Sequence, residues 1–232
     1  MGLVGHQCWR DLLFLHWPVS REALRPLVPD TLEIDAFAGQ AYVSLIPFAI
    51  TESRAAGAPR VLATRFLETN LRTYVRAAGR EPGIYFFSLE ASSLLAVAAA
   101  RLLFGLPYFP AAMAMRREGA DIEYSSRRRG ARDAMVEVAW SIGEAIESAA
   151  AGTRDHFLIE RYCLYVARGG RLYRGRVRHP PYPLRRAAVR RLVQTVVMAA
   201  GLSDPTPPPL CHYSPGVDVD IFWLERVTSF PG

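Results

Sequence analysis

Lysine is absent from all 232 positions, and every one of the 28 residues counted as Lys or Arg is arginine. Without a side-chain primary amine the chain excludes an enzyme Schiff base with a keto acid, an internal aldimine with pyridoxal phosphate and the lysine of a phosphate-binding loop. Cysteine is scarce too. Cys8, Cys163 and Cys211 are odd in number and lack C-x-x-C spacing, so neither a disulfide framework nor a zinc knuckle is expected, and a reducing cytoplasm is the expected setting. The sequence contains no G-x-G-x-x-G, G-x-S-x-G, H-x-H or H-E-x-x-H. Those gaps remove the dinucleotide fingerprint, the nucleophile elbow and the common zinc spacings, and His16, His156, His179 and His212 are scattered; no metal and no cofactor are expected. The amino-terminal segment carries neither a secretory nor a myristoylation pattern.

Long apolar runs are also missing. The richest stretch, 92–115, has Arg101 at its centre and is broken by Pro107 and Pro110, so it reads as a core helix over 92–104 followed by a turn, and no membrane partner is expected. What is present is a globular balance, 50% hydrophobic and 22% charged, which predicts one domain spanning 1–232. The net charge of +6 raises a polyanion as partner. Its concentrations, at Arg116-Arg117, Arg127-Arg128-Arg129, Arg185-Arg186 and Arg190-Arg191, lack interleaved aromatics, so no specific nucleic acid is expected.

Alternation of apolar and polar residues dominates the chain. Residues 11–17 suit a buried strand, and Ser20 can cap a short helix that Pro26 and Pro29 stop. Residues 32–37 and 40–48 read as a hairpin around Ala38-Gly39. The longest alternation, 65–76, puts Phe66, Glu68, Asn70, Arg72 and Tyr74 on one face and Leu67, Thr69, Leu71, Thr73 and Val75 on the other. Further strands are expected at 83–89, 111–117, 121–129, 133–142, 161–167, 171–178 and 217–227, with Gly169-Gly170 as a tight turn. The tract 144–152 reads as loop or poor helix, 184–200 is ambiguous between helix and strand, and the prolines at 205–209 mark an extended loop. The predicted class is α+β: a large curved antiparallel sheet closing into a β-barrel, with a few short helices.

The phrase Ala23-Leu24-Arg25-Pro26-Leu27-Val28-Pro29-Asp30-Thr31-Leu32 resembles the early signature of acetoacetate decarboxylase-like proteins. Asn70–Val75, Gly83–Leu89, Phe157–Tyr165 and His179–Leu184 resemble a branch of that superfamily, the YqjF-like domains of unknown function, and the similarity covers nearly the whole chain. The resemblance implies a closed or nearly closed barrel with a ligand pocket inside. In the decarboxylase an arginine and a glutamate act beside a lysine pair. The resemblance places the arginine at Arg10, just before the first strand, the glutamate at Glu68, and the lysine pair in the phrase Leu106-Pro107-Tyr108-Phe109, where this chain has no amine.

The expected catalytic set is therefore Glu68 as base, Arg10 as carboxylate fork or oxyanion partner, and Tyr108 as a hydrogen-bond or proton donor. Asn70, Arg72 and Tyr74 are expected ligand-binding residues if their face points inward, and a solvated strip if it points to water. Arg161 and His212 are candidates at the pocket mouth. The expected function is non-covalent small-molecule binding, with acid–base chemistry on an organic acid or related metabolite. An enzyme of this kind would be a lyase or isomerase that works without a Schiff base; the alternative is a non-catalytic ligand-binding or regulatory module. The expected partner is a small-molecule ligand, with self-association into a homo-oligomer left open.

Overall fold

Seventeen consecutive residues, Leu3–Val19, form the first strand, β1. In the computed structural model the described residues are 2–77, 80–130, 134–205 and 209–227. After β1 come α1 (Arg21–Leu24), β2 (Glu33–Ile34), β3 (Ala41–Ala55), β4 (Thr64–Arg76), β5 (Pro82–Ala91), α2 (Leu94–Phe104), β6 (Tyr108–Glu118), β7 (Asp121–Arg128) and β8 (Met135–Ile146). The chain continues through α3 (Arg154–Ile159), β9 (Cys163–Arg168), β10 (Arg171–Arg178), β11 (Leu184–Gln194), α4 (Val196–Ala199), β12 (Leu210–Phe222) and β13 (Glu225–Arg226).

All these strands belong to one sheet, ordered β13-β10-β9-β5-β6-β7-β8-β11-β12-β1-β3-β4-β2, which is the large, mainly antiparallel curved sheet expected. Two further pairings, β4 with β5 and β10 with β12, return the sheet on itself. One hydrogen-bonded circuit runs β1-β3-β4-β5-β6-β7-β8-β11-β12, and a second runs β1-β3-β4-β5-β9-β10-β12. They share β12, β1, β3, β4 and β5, a common wall with a hydrophobic core against each face.

The alternation of side chains along the wall assigns residues to one core or the other. Leu13, Leu15 and Trp17 of β1 pack with Val43, Leu45, Leu71, Val136, Val138 and Trp140. Leu12 and Phe14 point the other way, into a core of Tyr42, Ile46, Phe48, Phe66, Tyr74, Leu158 and Tyr182. Strands buried on both faces read as near-continuous apolar runs, which is why 11–17 shows no clean period of two.

Several expectations are corrected. The turn at Ala38-Gly39 forms, with Phe37 and Gln40 exchanging both backbone hydrogen bonds, but the pairing stops at that single bridge and β2 pairs with β4 rather than with 40–48. Both edges of β3 are already taken, by β1 and β4, so no third strand can join it. The helix expected in the core lies on the surface. It runs Leu94–Phe104, capped by the Ser93 hydroxyl and ended at Gly105 with φ of 65°, and only Val97 is buried while Leu95 and Leu102 face outward. The reason is topological, because α2 is the crossover between the parallel pair β5 and β6 and rests one narrow stripe on them. The tract 144–152 begins as the last residues of β8, and 184–200 divides into β11 and α4. The final strand starts earlier than expected, at Leu210. Asp133, where the strand 133–142 was to begin, and Pro207 and Pro208 of the extended loop lie outside the described residues. No helix among the described residues is long and apolar enough to cross a membrane.

Candidate functional site

The face of β4 that carries Glu68, Asn70, Arg72 and Tyr74 is buried. It belongs to the second core, between Phe66 at one end and Tyr74 at the other. Glu68 is 5% exposed, Asn70 and Arg72 7% each, and Tyr74 is fully enclosed. An interior strip of this polarity is costly unless each group is satisfied, so its partners define the site.

Tyr108 reaches Glu68 from another strand. Gly105 turns the chain out of α2, Arg101 Nε donates to the Tyr108 carbonyl at 2.6 Å, and Tyr108 becomes the first residue of β6, paired with Leu89. Its hydroxyl donates to Glu68 Oε2 at 2.7 Å. Among the described residues Glu68 Oε1 has no partner and no cation pairs with the carboxyl. Burial and then the charge of Glu90 push Glu68 up to about 8, against a lowering by the Tyr108 hydrogen bond. The carboxyl is thus mainly a neutral acid at pH 7. Burial, with the neighbouring carboxylate, drives the Tyr108 phenol well above its ordinary value.

Arg72 has an incomplete set of partners. Its Nη2 donates to the Leu158 carbonyl at 3.2 Å, its Nε is buried without a partner, and no carboxylate of the described residues lies within ion-pair distance. Tyr74 OH donates to the same carbonyl at 2.7 Å, and Ser44 Oγ lies 2.6 Å from Tyr74 OH and 2.6 Å from His16 Nδ1. His16 is fully buried, and burial, followed by His212 and Arg72, holds its imidazole well below the usual value. The His16 and His212 rings are 6.0 Å apart. His212 Nε2 faces Asp155 at 3.4 Å, while His212 Nδ1, His16 Nε2, His179 Nε2 and Asn70 Oδ1 have no partner among the described residues.

The candidates therefore separate. Glu68, Tyr108, Asn70, Arg72, Tyr74 and His212 share the second core, which brings the expected glutamate and tyrosine into direct contact. Arg10 is not with them. It lies inside β1 at an irregularity beside Asp11, whose φ is 52°, and its guanidinium bonds the Trp9 and Val217 carbonyls and Asp218. Its side chain is 35% exposed, and it staples β1 to β12. Arg161 is buried but engaged, with Nη1 at 2.9 Å from Asp35, Nε on the Phe157 carbonyl and its plane over Phe157. It locks the end of α3 in place, and precedes β9 rather than lying on it.

Sequence reasoning missed the buried pair Glu90 and Arg128, in which Arg128 Nε lies 3.0 Å from Glu90 and the guanidinium covers Phe109. It also left His16 among the scattered histidines, with no role. The period-two pattern of 41–48, with Ser44 among apolar residues, was the available signal for a polar gap beside it. Two surface clefts, of about 720 and 410 Å³, lie elsewhere: Trp17, Arg190 and Pro209 line the first, and Tyr85, Phe109 and Arg128 the second.

Comparison with known proteins fits this geometry. The family DUF2071, described as an uncharacterized conserved protein, matches residues 6–218. The chain is 43% identical over 227 residues to the uncharacterized protein YqjF of Bacillus subtilis, covering 97% of this chain and 93% of that one. Among solved structures, the enduracididine biosynthesis enzyme MppR complexed with pyruvate superposes with a TM-score of 0.70 at 13% identity, over 97% of this chain and 91% of that chain. Acetoacetate decarboxylase from Legionella pneumophila gives 0.65 at 11%, over 98% and 90%. Similarity at these identities establishes a shared fold.

Proposed function

We propose, from the premise that this chain belongs to the DUF2071 family and shares the acetoacetate decarboxylase fold, that the second circuit is a barrel enclosing a non-covalent site for a small organic acid. The observation that carries this reading is the hydrogen bond from the part-buried Tyr108 hydroxyl to the buried Glu68 carboxyl, followed along the same strand face by Asn70 and Arg72. Where a lysine would supply an electron sink the chain has Tyr108, so the chemistry is not lysine-dependent decarboxylation. A neutral Glu68 donates a proton or hydrogen bond to a carbonyl or leaving oxygen, Tyr108 orients that carboxyl, and Arg72 holds the negative end of the ligand. Arg10 has no part in it.

The surface supports a small molecule over a polyanion as partner. Arg116 pairs with Glu118, Arg117 with Asp11, Arg186 with Glu144, Arg190 with Asp121 and Arg191 with Glu137. Arginines already engaged by carboxylates form a poor track for phosphates.

Native mass spectrometry of the freshly purified protein tests the reading by looking for a retained small molecule, with Glu68→Gln as the second arm. In an enzyme the substitution abolishes turnover of that molecule. In a binding module affinity survives with an altered pH dependence. A protein that retains nothing and binds no organic acid would sink the reading.

A further inference from the structure

His16, Ser44 and Arg72 form one row across three neighbouring strands, since His16 pairs with Ser44 between β1 and β3 and Ser44 pairs with Arg72 between β3 and β4. Adjacent strands are about 4.8 Å apart, so the outer two backbones lie about 10 Å apart, with the shortest side chain of the three between them. The imidazole and the guanidinium thus stand on either side of a low point in the wall.

The hydrogen bonds running through the row have a direction. A carbonyl only accepts, so Tyr74 OH spends its proton on Leu158 O. At 2.6 Å the Ser44 hydroxyl must then donate to Tyr74, and at 2.6 Å Ser44 must in turn accept from His16 Nδ1–H. His16 is buried beside His212 and Arg72, which disfavours a second proton, and Nε2 is left as a bare lone pair. Across Ser44 from this acceptor, Arg72 presents a donor Nε that also has no partner and a full positive charge with no counter-ion among the described residues.

An unfilled acceptor and an unneutralised cation, both more than nine-tenths buried, call for a ligand that brings a donor and a negative charge together. We propose that the site takes a short hydroxycarboxylate, its carboxylate seated on Arg72 and its hydroxyl donated to His16 Nε2. His16 is thus a specificity-determining residue, because a site built around a hydroxyl discriminates strongly against the analogue that lacks it. This rests on the interior of the second circuit being the ligand site, and narrows the organic acid to one class.

The test uses the full-length wild-type protein labelled with 15N-histidine and three matched pairs of probes: glycolate with acetate, lactate with propionate, and 3-hydroxybutyrate with butyrate. In the free protein the His16 spectrum is that of a neutral Nδ1–H tautomer. At least one hydroxy acid binds ten-fold or more tightly than its partner and shifts the His16 Nε2 resonance, and Arg72→Met abolishes binding of both members of that pair. Equal affinities within every pair, binding that leaves Nε2 unmoved, a proton on Nε2 in the free protein, or no binding by any of the six acids overturns the assignment. A retained ligand whose binding responds to Glu68→Gln but not to the hydroxyl leaves the broader reading standing while removing this one.

Discussion

Glu68 and Glu90 are both buried on paired strands, and among the described residues only Glu90 has a cation. Arg128 lies against Glu90, while Glu68 has the Tyr108 hydroxyl and the repulsion of Glu90 itself. One carboxyl is held by an ion pair and the other is left close to neutral. Burial raises both carboxyls above their ordinary value; at Glu90 the Arg128 guanidinium works against that rise, and at Glu68 the Tyr108 hydroxyl does so.

The first expected outcome concerns pH. The folded protein holds the Glu68 proton up to about 8, whereas the unfolded chain releases it near the ordinary carboxylate value, so between these limits the native state binds more protons and stability falls as pH rises. Glu68→Gln removes that slope. Urea unfolding should find the variant gaining on the wild type from about pH 5 to about pH 8, with the difference flat above that. A parallel pair of curves would refute the assignment.

Tyr108→Phe deletes the one hydrogen bond that lowers the Glu68 value. The Glu68 carboxyl should then titrate at higher pH by 13C NMR, and the protein should lose about 1–2 kcal/mol. An unchanged titration would mean that the phenol only fills space.

Arg128→Met strands Glu90 in a buried position and is expected to cost about 3–5 kcal/mol. Adding Glu90→Leu should recover much of that loss, measured as a double-mutant cycle by chemical denaturation. Additive losses would show that the two residues are not coupled.

Arg72→Met, by contrast, should leave stability unchanged or raised, because it removes a buried guanidinium that has no carboxylate partner among the described residues to leave behind. Arg161→Met breaks the pair with Asp35 and should destabilise by about 1–3 kcal/mol. Thermal melts of the two variants side by side decide the matter, and a greater loss for Arg72 would give that residue a structural role.

At Gly216, φ is 127° and a Cβ would stand 2.0 Å from the Trp9 carbonyl, against the strand segment that carries Arg10. Gly216→Ala should therefore open the β1–β12 register and cost about 2–4 kcal/mol, with faster amide exchange at Trp9 and Val217. A variant as stable as the wild type would mean that the staple is dispensable.

The strip 65–76 was legible because an alternation of that length has few alternative readings, and the missing lysine was legible by inspection. The direction in which the strip faces was not. Its opposite side, with Leu67 and Leu71, is the more apolar, and only the return of the sheet through β10–β12 buries both faces. The same two-sided burial hid His16, which sits in an apolar run and becomes notable only when Ser44 and Arg72 align beside it. Arg10 was placed by resemblance alone, and a local irregularity next to Asp11 turned it to the outside. The helix 92–104 was found by composition but misplaced, since its apolar residues are spread around its girth and no stripe indicates a buried side.

The shared wall leaves a mark on how this protein can change. In β4 the odd positions Leu67 and Leu71 serve one core and the even positions Glu68, Asn70 and Arg72 serve the other, so the identity of each compartment is encoded in parity. Point substitutions can change the polar side while leaving the leucine side untouched. A single inserted or deleted residue in that strand would exchange the contents of the two rooms at once, which makes the five common strands tolerant of new chemistry and intolerant of new length.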